Sequence, residues 1–564
     1  MASVVSAYLL PVLLLFLMKN AASINAPNGP IAKTQFGPVK GIYTDEAAIF
    51  YGLPFGMPPV GEMRWKPPQP FHSSWAPSTY DASYARPSCY QLNCLNLPDL
   101  EETLECPQDN KFSEDCLHLN IFTPLPFNPT EKLPVVIWLP GLRYIYGSAT
   151  YLLLDGQFLA NKTRSIVVTT NYRLGALGFL VAGEGEGAAT GNYGTLDQIA
   201  AMRWVQSNIG SFGGDKDQVT IMGQSAGADS VALHLMAENT EDLFKQAVMM
   251  SIPFISHKTR AEALQLSKVV AELLNCTTGN MTCLHAATPQ DIMAAQAKAV
   301  PAVPYHITEE YVEWGPYVDG NIVTTPNLQG MFLQGKLQKK PFILGTTTDD
   351  AFPLIYDGWN KEMTKAQYEQ ILQLLFLGKA QLVLKEYPPV MSGDQRPKLS
   401  QTATDLLYAC PTRRVIRAAT NFELSDVWLY RFDQKTEAKG VDLWGSDTAE
   451  CSDRVCHGSD VPFLFQTLKL AGLNVTDEEQ STADSMAYYF GNFLHTGDPN
   501  NLGWRVSSQH QVHPQQPGDV INWPKYNKLN NYVNMKFTAP TNQQEQGYLA
   551  EKCDFWDNLK TFHE

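Results

Sequence analysis

A serine flanked by two glycines is the feature that most restricts how this chain can fold. Residues 223–227 read Gly-Gln-Ser-Ala-Gly and match the pattern G-x-S-x-G. An apolar run at 219–222 predicts a buried strand before the motif, and a helix-periodic run continues to Met236. In that context Ser225 occupies a sharp strand-to-helix turn, where the helix N-terminus favours negative charge. The sequence predicts Ser225 as a nucleophile; a tight turn without chemistry is the alternative.

Strand and helix signals alternate on both sides of this motif. Further strands are predicted at residues 117–122, 134–139, 165–170, 341–344 and 427–432, helices at 195–205, 365–385 and 477–493, and loops at 183–191 and 506–519. Such alternation predicts an α/β fold with a doubly wound, mostly parallel central sheet and helices on both faces. The sequence contains neither an internal repeat nor an interdomain linker, so we expect one domain over residues 24–564.

The first residues have the composition of a signal peptide. Residues 9–18 are almost entirely apolar and precede the small residues Ala21, Ala22 and Ser23. About ten apolar residues are too few to span a bilayer, and no later apolar run is long enough to do so. We therefore expect removal of residues 1–23 and a protein that is secreted or held in a lumen or vesicle. Four sequons support that route and predict glycosylation at Asn161, Asn275, Asn280 and Asn474.

Ten cysteines in an exported chain predict disulfide bonds. The spacing of the cysteines permits three kinds of disulfide. Two pairs are close enough in sequence to close small loops, a group of four near the N-terminus could form two bridges, and the two remaining cysteines could form one long-range bridge. The close pairs are Cys276/Cys283 and Cys451/Cys456, the N-terminal group is Cys89, Cys94, Cys106 and Cys116, and the distant residues are Cys410 and Cys553. Spacing alone leaves this connectivity open. No Cys/His spacing matches a zinc signature, so no metal site is predicted.

The charge of the chain excludes some classes of partner. The net charge is −15, and no long Lys/Arg run is present. Such a chain is a poor candidate for binding nucleic acid or an anionic membrane. Colloidal solubility is the simpler interpretation of the acidic balance.

Further motifs extend over nearly the whole chain. They are Arg64-Trp-Lys-Pro-Pro68, Ser113-Glu-Asp-Cys-Leu117 with Asn120, Asn171-Tyr-Arg-Leu-Gly175 with Gly178-Phe179, Asp197-Gln198, Trp204-Val205, Asn208-Ile209, Phe212-Gly-Gly-Asp215, Cys410-Pro411, Thr496-Gly-Asp-Pro-Asn500 and Cys553-Asp-Phe-Trp556. Together with the serine motif they resemble the type-B carboxylesterase/lipase family, which includes the cholinesterases. The resemblance implies the α/β-hydrolase fold and ester hydrolysis without a metal or organic cofactor.

The resemblance also implies partners for Ser225. A serine hydroxyl needs a base to take its proton, and the base needs an orienting acceptor. His457 lies in a segment that matches the family's catalytic histidine segment. Asp350 falls at the position of the catalytic acid, where the family usually has glutamate. The neighbouring Asp349 is the less favoured alternative.

Structural bonds are implied by the same resemblance. The implied disulfides are Cys89–Cys116, Cys276–Cys283 and Cys410–Cys553, which leaves Cys94/Cys106 and Cys451/Cys456 as additional pairs. The implied ion pairs are Arg64 with Glu114 and Arg173 with Asp197. We interpret both ion pairs as scaffold and not as chemistry.

One loop departs from the family pattern. The family's oxyanion loop reads His-Gly-Gly-Gly-Phe, whereas residues 140–144 read Pro-Gly-Leu-Arg-Tyr. The expected oxyanion donors are the N–H of Ala226 with those of Gly141 or Leu142 and Arg143. Losing one such donor costs about 3 kcal/mol. Two possibilities preserve activity: the N–H groups keep their aim with side chains turned outward, or Arg143 supplies a cationic donor.

The sequence thus predicts a serine carboxylesterase that forms an acyl-enzyme, with activity reduced by the altered loop. Its substrate is expected to be a small-molecule or lipid ester. Residues 89–116 contain no tryptophan to hold a choline cation, which argues against choline esters. A lipase is the second choice among enzymes. A binding, adhesion or storage protein with the same fold is the non-catalytic alternative. The sequence does not indicate an oligomeric state.

Overall fold

The computed structural model describes residues 29–91, 111–185, 187–299, 313–422, 425–436, 451, 453–470, 472–502 and 520–559. The predicted signal peptide, the predicted loop at 506–519, and Cys94 and Cys106 lie outside the described residues. Within these ranges, no helix combines the length and apolar character needed to cross a membrane.

The strands are short and mostly buried. They are β1 (Ile31–Thr34), β2 (Gly37–Lys40), β3 (Ile42–Tyr43), β4 (Ala47–Pro54), β5 (Tyr80–Asp81), β6 (His118–Pro124), β7 (Leu133–Leu139), β8 (Ile166–Thr170), β9 (Val181–Ala182), β10 (Ala189–Thr190), β11 (Gly214–Gln224), β12 (Gln246–Met250), β13 (Phe342–Thr347), β14 (Val427–Phe432), β15 (Val533–Phe537) and β16 (Gln543–Gln546). The predicted loop at 183–191 contains the two-residue strand β10, which pairs with β9.

Among the described residues, the central sheet has eleven strands in the order β16-β15-β14-β13-β12-β11-β7-β8-β6-β4-β3. Every pair from β15 to β8 is parallel. The pairs at the two edges are antiparallel. The prediction of an α/β fold with a mostly parallel central sheet is confirmed.

Successive residues of one strand enter two different hydrophobic cores. Val135, Ile137 and Leu139 of β7 belong to one cluster, whereas Val136 and Trp138 belong to another. Since side chains of a strand alternate between the two faces of its sheet, each face is covered by its own core. A parallel sheet buried on both faces requires strands that are apolar at nearly every position.

Helices pack around this sheet. They are α1 (Gln157–Thr163), α2 (Gly175–Phe179), α3 (Tyr193–Asn208), α4 (Ala226–Met236), α5 (Arg260–Leu273), α6 (Met281–Ala286), α7 (Pro289–Ala299), α8 (Leu328–Leu333), α9 (Phe352–Gly358), α10 (Lys365–Phe376), α11 (Ala380–Glu386), α12 (Arg396–Thr404), α13 (Cys410–Asn421), α14 (Asp460–Phe465), α15 (Asp477–Thr496) and α16 (Ala550–Leu559).

The long helix predicted at 365–385 is wrong as a single element. Helix α10 ends at Phe376, and Leu377 adopts φ 47° and ψ −121°. That backbone conformation cannot continue a right-handed helix. A short 3₁₀ turn at Leu377–Lys379 then leads into α11.

Four disulfides connect the described residues. They are Cys89–Cys116, Cys276–Cys283, Cys410–Cys553 and Cys451–Cys456. Cys451–Cys456 immediately precedes His457, and Cys410–Cys553 joins the beginning of α13 to α16. The bridges therefore hold both the candidate base and the C-terminal part of the described chain.

The order of the strands gathers the candidate site residues at one edge of the sheet. Residues 140–144 follow β7, Ser225 follows β11, and Asp350 follows β13. These three strands run in the same direction within the parallel region. Their carboxyl ends therefore meet at a single edge, which is the usual location of sites in open α/β sheets.

Candidate active site

Ser225 lies between the last residue of β11 and the first residue of α4. Its backbone has φ 57° and ψ −126°, a conformation that L residues rarely adopt. Such a residue costs on the order of 1–3 kcal/mol and persists only where its surroundings fix it. Here the N–H of Ser225 donates to the carbonyl of Met250 at 2.9 Å. The turn is thus held against the neighbouring strand, β12.

The glycines on both sides of Ser225 are required by close packing. A Cβ atom on Gly223 would lie 2.4 Å from the carbonyl carbon of Gly227. A Cβ atom on Gly227 would lie 2.1 Å from the carbonyl oxygen of Leu139. Any side chain at either position would therefore push the strand and helix apart, and the spacing of the motif follows from this contact.

The candidate base and acid are in direct contact. Nδ1 of His457 lies 2.8 Å from Oδ1 of Asp350, and the Asp350 side chain is fully buried. The second carboxylate oxygen accepts the backbone N–H of Thr347 at 2.9 Å. A hydrogen on Nδ1 leaves Nε2 as the proton acceptor of a neutral imidazole. Nε2 is buried and has no hydrogen-bond partner among the described residues.

The neighbouring carboxylate, Asp349, has other contacts. It accepts the backbone N–H of Val455 at 3.1 Å and lies 3.7 Å from the guanidinium of Arg454. Its own backbone N–H donates to the carbonyl of Val455 at 2.9 Å. Asp349 therefore ties the acid loop to the segment before His457, while Asp350 contacts the imidazole.

A further carboxylate that sequence analysis missed lies behind this pair. Asp460 is fully buried and accepts the hydroxyl of Tyr430 at 2.6 Å. Burial raises the pKa of Asp460 to about 6, with a smaller contribution from the negative charge of Asp350. Its position three residues after His457 was the only signal in the sequence.

The loop after β7 keeps a glycine-like backbone although two glycines are absent. Leu142, Arg143 and Tyr144 have φ values of 64°, 60° and 62°. Each non-glycine residue in this left-handed region costs about 1–2 kcal/mol. The loop also lies against the turn that holds Ser225, because a Cβ atom on Gly141 would be 3.3 Å from that of Ser225.

All three side chains of this loop have packing or polar partners. Leu142 is half-buried against the cluster that contains Trp138. Arg143 forms an ion pair with Glu313. Tyr144 is buried, and its hydroxyl donates to Asp229 at 2.6 Å. The guanidinium of Arg143 is paired with a carboxylate, which disfavours its use as a cationic oxyanion donor. The contacts therefore favour the other possibility, in which the peptide N–H groups point toward the oxyanion and the side chains turn outward.

The remaining predicted residues are those of the ion pairs and the sequons. The predicted ion pairs are present, with nitrogen–oxygen distances of 2.5 Å for Arg64–Glu114 and 2.7 Å for Arg173–Asp197. The sequon asparagines Asn275, Asn280 and Asn474 are exposed. Asn161 is half-buried in α1, and its amide contacts Glu46.

The part of the chain that the structure describes holds no cluster of three or more His, Cys, Asp or Glu side chains able to bind a metal ion. The functional groups at the candidate site are the hydroxyl of Ser225, the imidazole of His457 and the carboxylate of Asp350. This set of groups is suited to proton transfer.

Known proteins resemble this chain over most of its length. The family model described as "Carboxylesterase family" matches residues 28–556. "Crystal protein" of Dictyostelium discoideum is 34% identical over 469 residues, which cover 82% of each chain. "Cholinesterase" of Mus musculus is 29% identical over 93% of this chain and 86% of that protein. The solved structure of a "thermophylic PNB esterase" has a TM-score of 0.76 and 27% identity, and the match covers 93% of this chain and 99% of that one. The resemblance inferred from the motifs is confirmed, and the chain belongs to the carboxylesterase family.

Proposed function

We propose that this chain is a serine carboxylic ester hydrolase in which Ser225, His457 and Asp350 form the catalytic triad. The observation that carries the proposal is the 2.8 Å contact between Nδ1 of His457 and the buried carboxylate of Asp350. It fixes the imidazole tautomer that has a free acceptor on Nε2. Ser225 follows β11, whose carboxyl end lies at the same edge of the sheet, and occupies the strained turn that the chemistry requires.

The proposed reaction has two halves. Oγ of Ser225 attacks the ester carbonyl carbon while its proton passes to Nε2 of His457, and Asp350 stabilises the imidazolium. The tetrahedral intermediate expels the alcohol, which takes the proton from Nε2 and leaves the acyl-enzyme. Water then attacks the acyl carbon and gives a proton to Nε2. Collapse of the second intermediate returns that proton to Ser225 and releases the acid.

The oxyanion is proposed to bind backbone donors. Ala226 supplies one N–H at the N-terminus of α4, where the helix favours negative charge. Leu142 and Arg143 supply others, with Gly141 beside them. The left-handed φ values of the loop support this assignment, because that path is the one that glycines would follow. We infer a working enzyme on small-molecule or lipid esters, with a rate limited by this loop.

An exported glycoprotein is the proposed setting. Four disulfides within the described residues fit an oxidising compartment. Three exposed sequon asparagines are accessible to glycosylation, as proposed for Asn275, Asn280 and Asn474. Residues 1–23 are the proposed signal peptide, and residues 24–564 the proposed single domain.

One observation favours a second candidate, a non-catalytic binding or storage protein. Leu142 and Arg143 stand where the family has glycines, and Arg143 is engaged by Glu313. A relative also has the name "Crystal protein", which does not name an enzyme.

Hydrolysis of p-nitrophenyl acetate and butyrate by the purified protein tests the choice. The enzyme hypothesis predicts turnover that is lost in Ser225→Ala. Equal rates for the two proteins contradict it and favour the binding protein.

A further inference from the structure

A buried row of polar side chains connects the loop after β7 to the nucleophile helix α4. The hydroxyl of Tyr144 donates to Oδ2 of Asp229 at 2.6 Å. Nε2 of His257 lies 2.9 Å from the same oxygen. Oγ of Ser230 lies 3.1 Å from the Tyr144 hydroxyl. Asp229 is one turn beyond the nucleophile, and its N–H donates to the carbonyl of Ser225 at 3.0 Å.

The buried carboxylate of Asp229 has hydrogen-bond partners within the protein interior. Asp229 and His257 have side-chain exposures of 5% and 6%. A buried carboxylate is costly unless donors surround it, and here a hydroxyl and an imidazole N–H point at one oxygen. Burial, with the negative charge of Asp229, raises the pKa of Tyr144 well above its ordinary value. Tyr144 therefore remains a protonated donor at neutral pH.

The loop needs such an anchor because its backbone is strained. Three successive residues, from Leu142 to Tyr144, lie in the left-handed region. Persistent strain requires that the surroundings hold the chain from outside. The carbonyl of Tyr144 accepts the N–H of Gly175 at 2.8 Å, and the Tyr144 ring packs edge-on against Phe179 with centroids 5.5 Å apart. Through its hydroxyl contact with Asp229, Tyr144 also connects the loop to helix α4.

We propose that Tyr144, fixed by Asp229 and His257, is a positioning residue that keeps the N–H groups of Leu142 and Arg143 directed at the oxyanion in place of the missing glycines. The inference rests on the proposed esterase function. Where glycines are present, their backbone adopts left-handed φ values without strain and orients the N–H groups by itself. Here the Tyr144 side chain would keep the backbone in that conformation. The alternative is a polar core contact that stabilises the fold and leaves the reaction unaffected.

Steady-state kinetics on p-nitrophenyl butyrate separate these two roles. Tyr144→Phe and Asp229→Asn are compared with Tyr368→Phe, which removes another buried hydroxyl that donates to the carbonyl of Tyr387 at 2.8 Å. A misaligned donor should lower kcat by about 10–100-fold, with KM within about twofold, because the donors act mainly in the transition state. The Tyr368→Phe control should keep the wild-type kcat.

A transition-state analogue and a rescue variant add readouts that a merely structural role would not change. Inhibition by an alkyl trifluoromethyl ketone, which forms a tetrahedral oxyanion on serine, should weaken in parallel with kcat/KM in Tyr144→Phe. Adding Leu142→Gly and Arg143→Gly to Tyr144→Phe should recover most of the lost rate, since glycines adopt the left-handed path without the anchor.

The possible failures are distinct. Wild-type kcat in a folded Tyr144→Phe, or a loss of kcat without weaker inhibition, overturns the positioning role while Ser225-dependent turnover still supports the esterase. A glycine pair that recovers nothing overturns it as well. A wild-type protein no faster than Ser225→Ala overturns the esterase, and the positioning role fails with it.

Discussion

Asp350 reaches His457 across 2.8 Å although it is one methylene shorter than the glutamate expected at this position. The backbones of the two loops are drawn together just beside this contact. Asp349 and Cys456 form an isolated parallel bridge, and the N–H of Asp349 donates to the carbonyl of Val455 at 2.9 Å. This backbone pairing holds the acid loop beside the histidine segment, within reach of the aspartate side chain.

Asp350→Asn should lower kcat by about 10³–10⁴-fold, because the amide favours the wrong imidazole tautomer and cannot stabilise the imidazolium. The matched control is Asp349→Asn, which removes a neighbouring carboxylate that does not contact the imidazole; its kcat should stay within about threefold of wild type. Steady-state hydrolysis of p-nitrophenyl acetate measures both. A larger loss in the Asp349 variant would exchange their proposed roles.

Removal of each disulfide should lower stability and kcat, but the two bridges should rank in opposite order for the two quantities. Cys410–Cys553 spans 143 residues and Cys451–Cys456 spans 5. From loop-closure entropy, replacing both cysteines by serine should cost about 5 kcal/mol for the long loop and about 2 kcal/mol for the short one. The short loop ends directly before His457, so loss of this disulfide should lower kcat more. Denaturant unfolding and kcat on the two double variants test this, and the same ranking in both measurements would contradict it.

Asp460 should make the free energy of unfolding depend on pH. Its folded pKa of about 6 exceeds the ordinary value of 3.8, so between these values the folded protein binds more protons than the unfolded chain. Stability from this group is present at low pH and is lost as the pH rises through about 6.

Between about pH 5 and pH 7 the loss should be roughly 1 kcal/mol, and Asp460→Asn should lack it. Denaturant unfolding of the two proteins at both pH values measures the difference. A pH dependence that is unchanged in the variant would mean that Asp460 is ionised throughout.

The sheet and the strand-to-helix turn at Ser225 were predictable because their signals are local. Apolar runs such as residues 134–139 can satisfy burial only inside a sheet covered on both faces, and G-x-S-x-G follows from the contacts at Gly223 and Gly227. The prediction of one helix over residues 365–385 was wrong at Leu377, because a single residue with positive φ does not change the apolar periodicity of the sequence.

The anchor of the loop could not be predicted. Tyr144 and Asp229 are 85 residues apart, and Asp229 and His257 are 28 apart. Taken singly, each reads as an ordinary polar residue, and only the packing of the loop on α4 brings them together. The pairing of Glu313 with Arg143 could not be predicted either, because it also depends on tertiary packing, and it fixes the position of the Arg143 guanidinium.

Arg143 should prove dispensable for the chemistry although it stands in the proposed oxyanion loop. Its guanidinium pairs with Glu313, a carboxylate whose side chain is only 11% exposed and whose pKa is raised by burial. Arg143→Met alone leaves that carboxylate unpaired and should destabilise the fold by about 1–3 kcal/mol. Adding Glu313→Gln removes the unpaired charge and should restore stability. In the double variant kcat should stay within about threefold of wild type, because the backbone N–H of residue 143 is retained. If the guanidinium itself bound the oxyanion, kcat in the stable double variant would instead fall by about 10²–10³-fold.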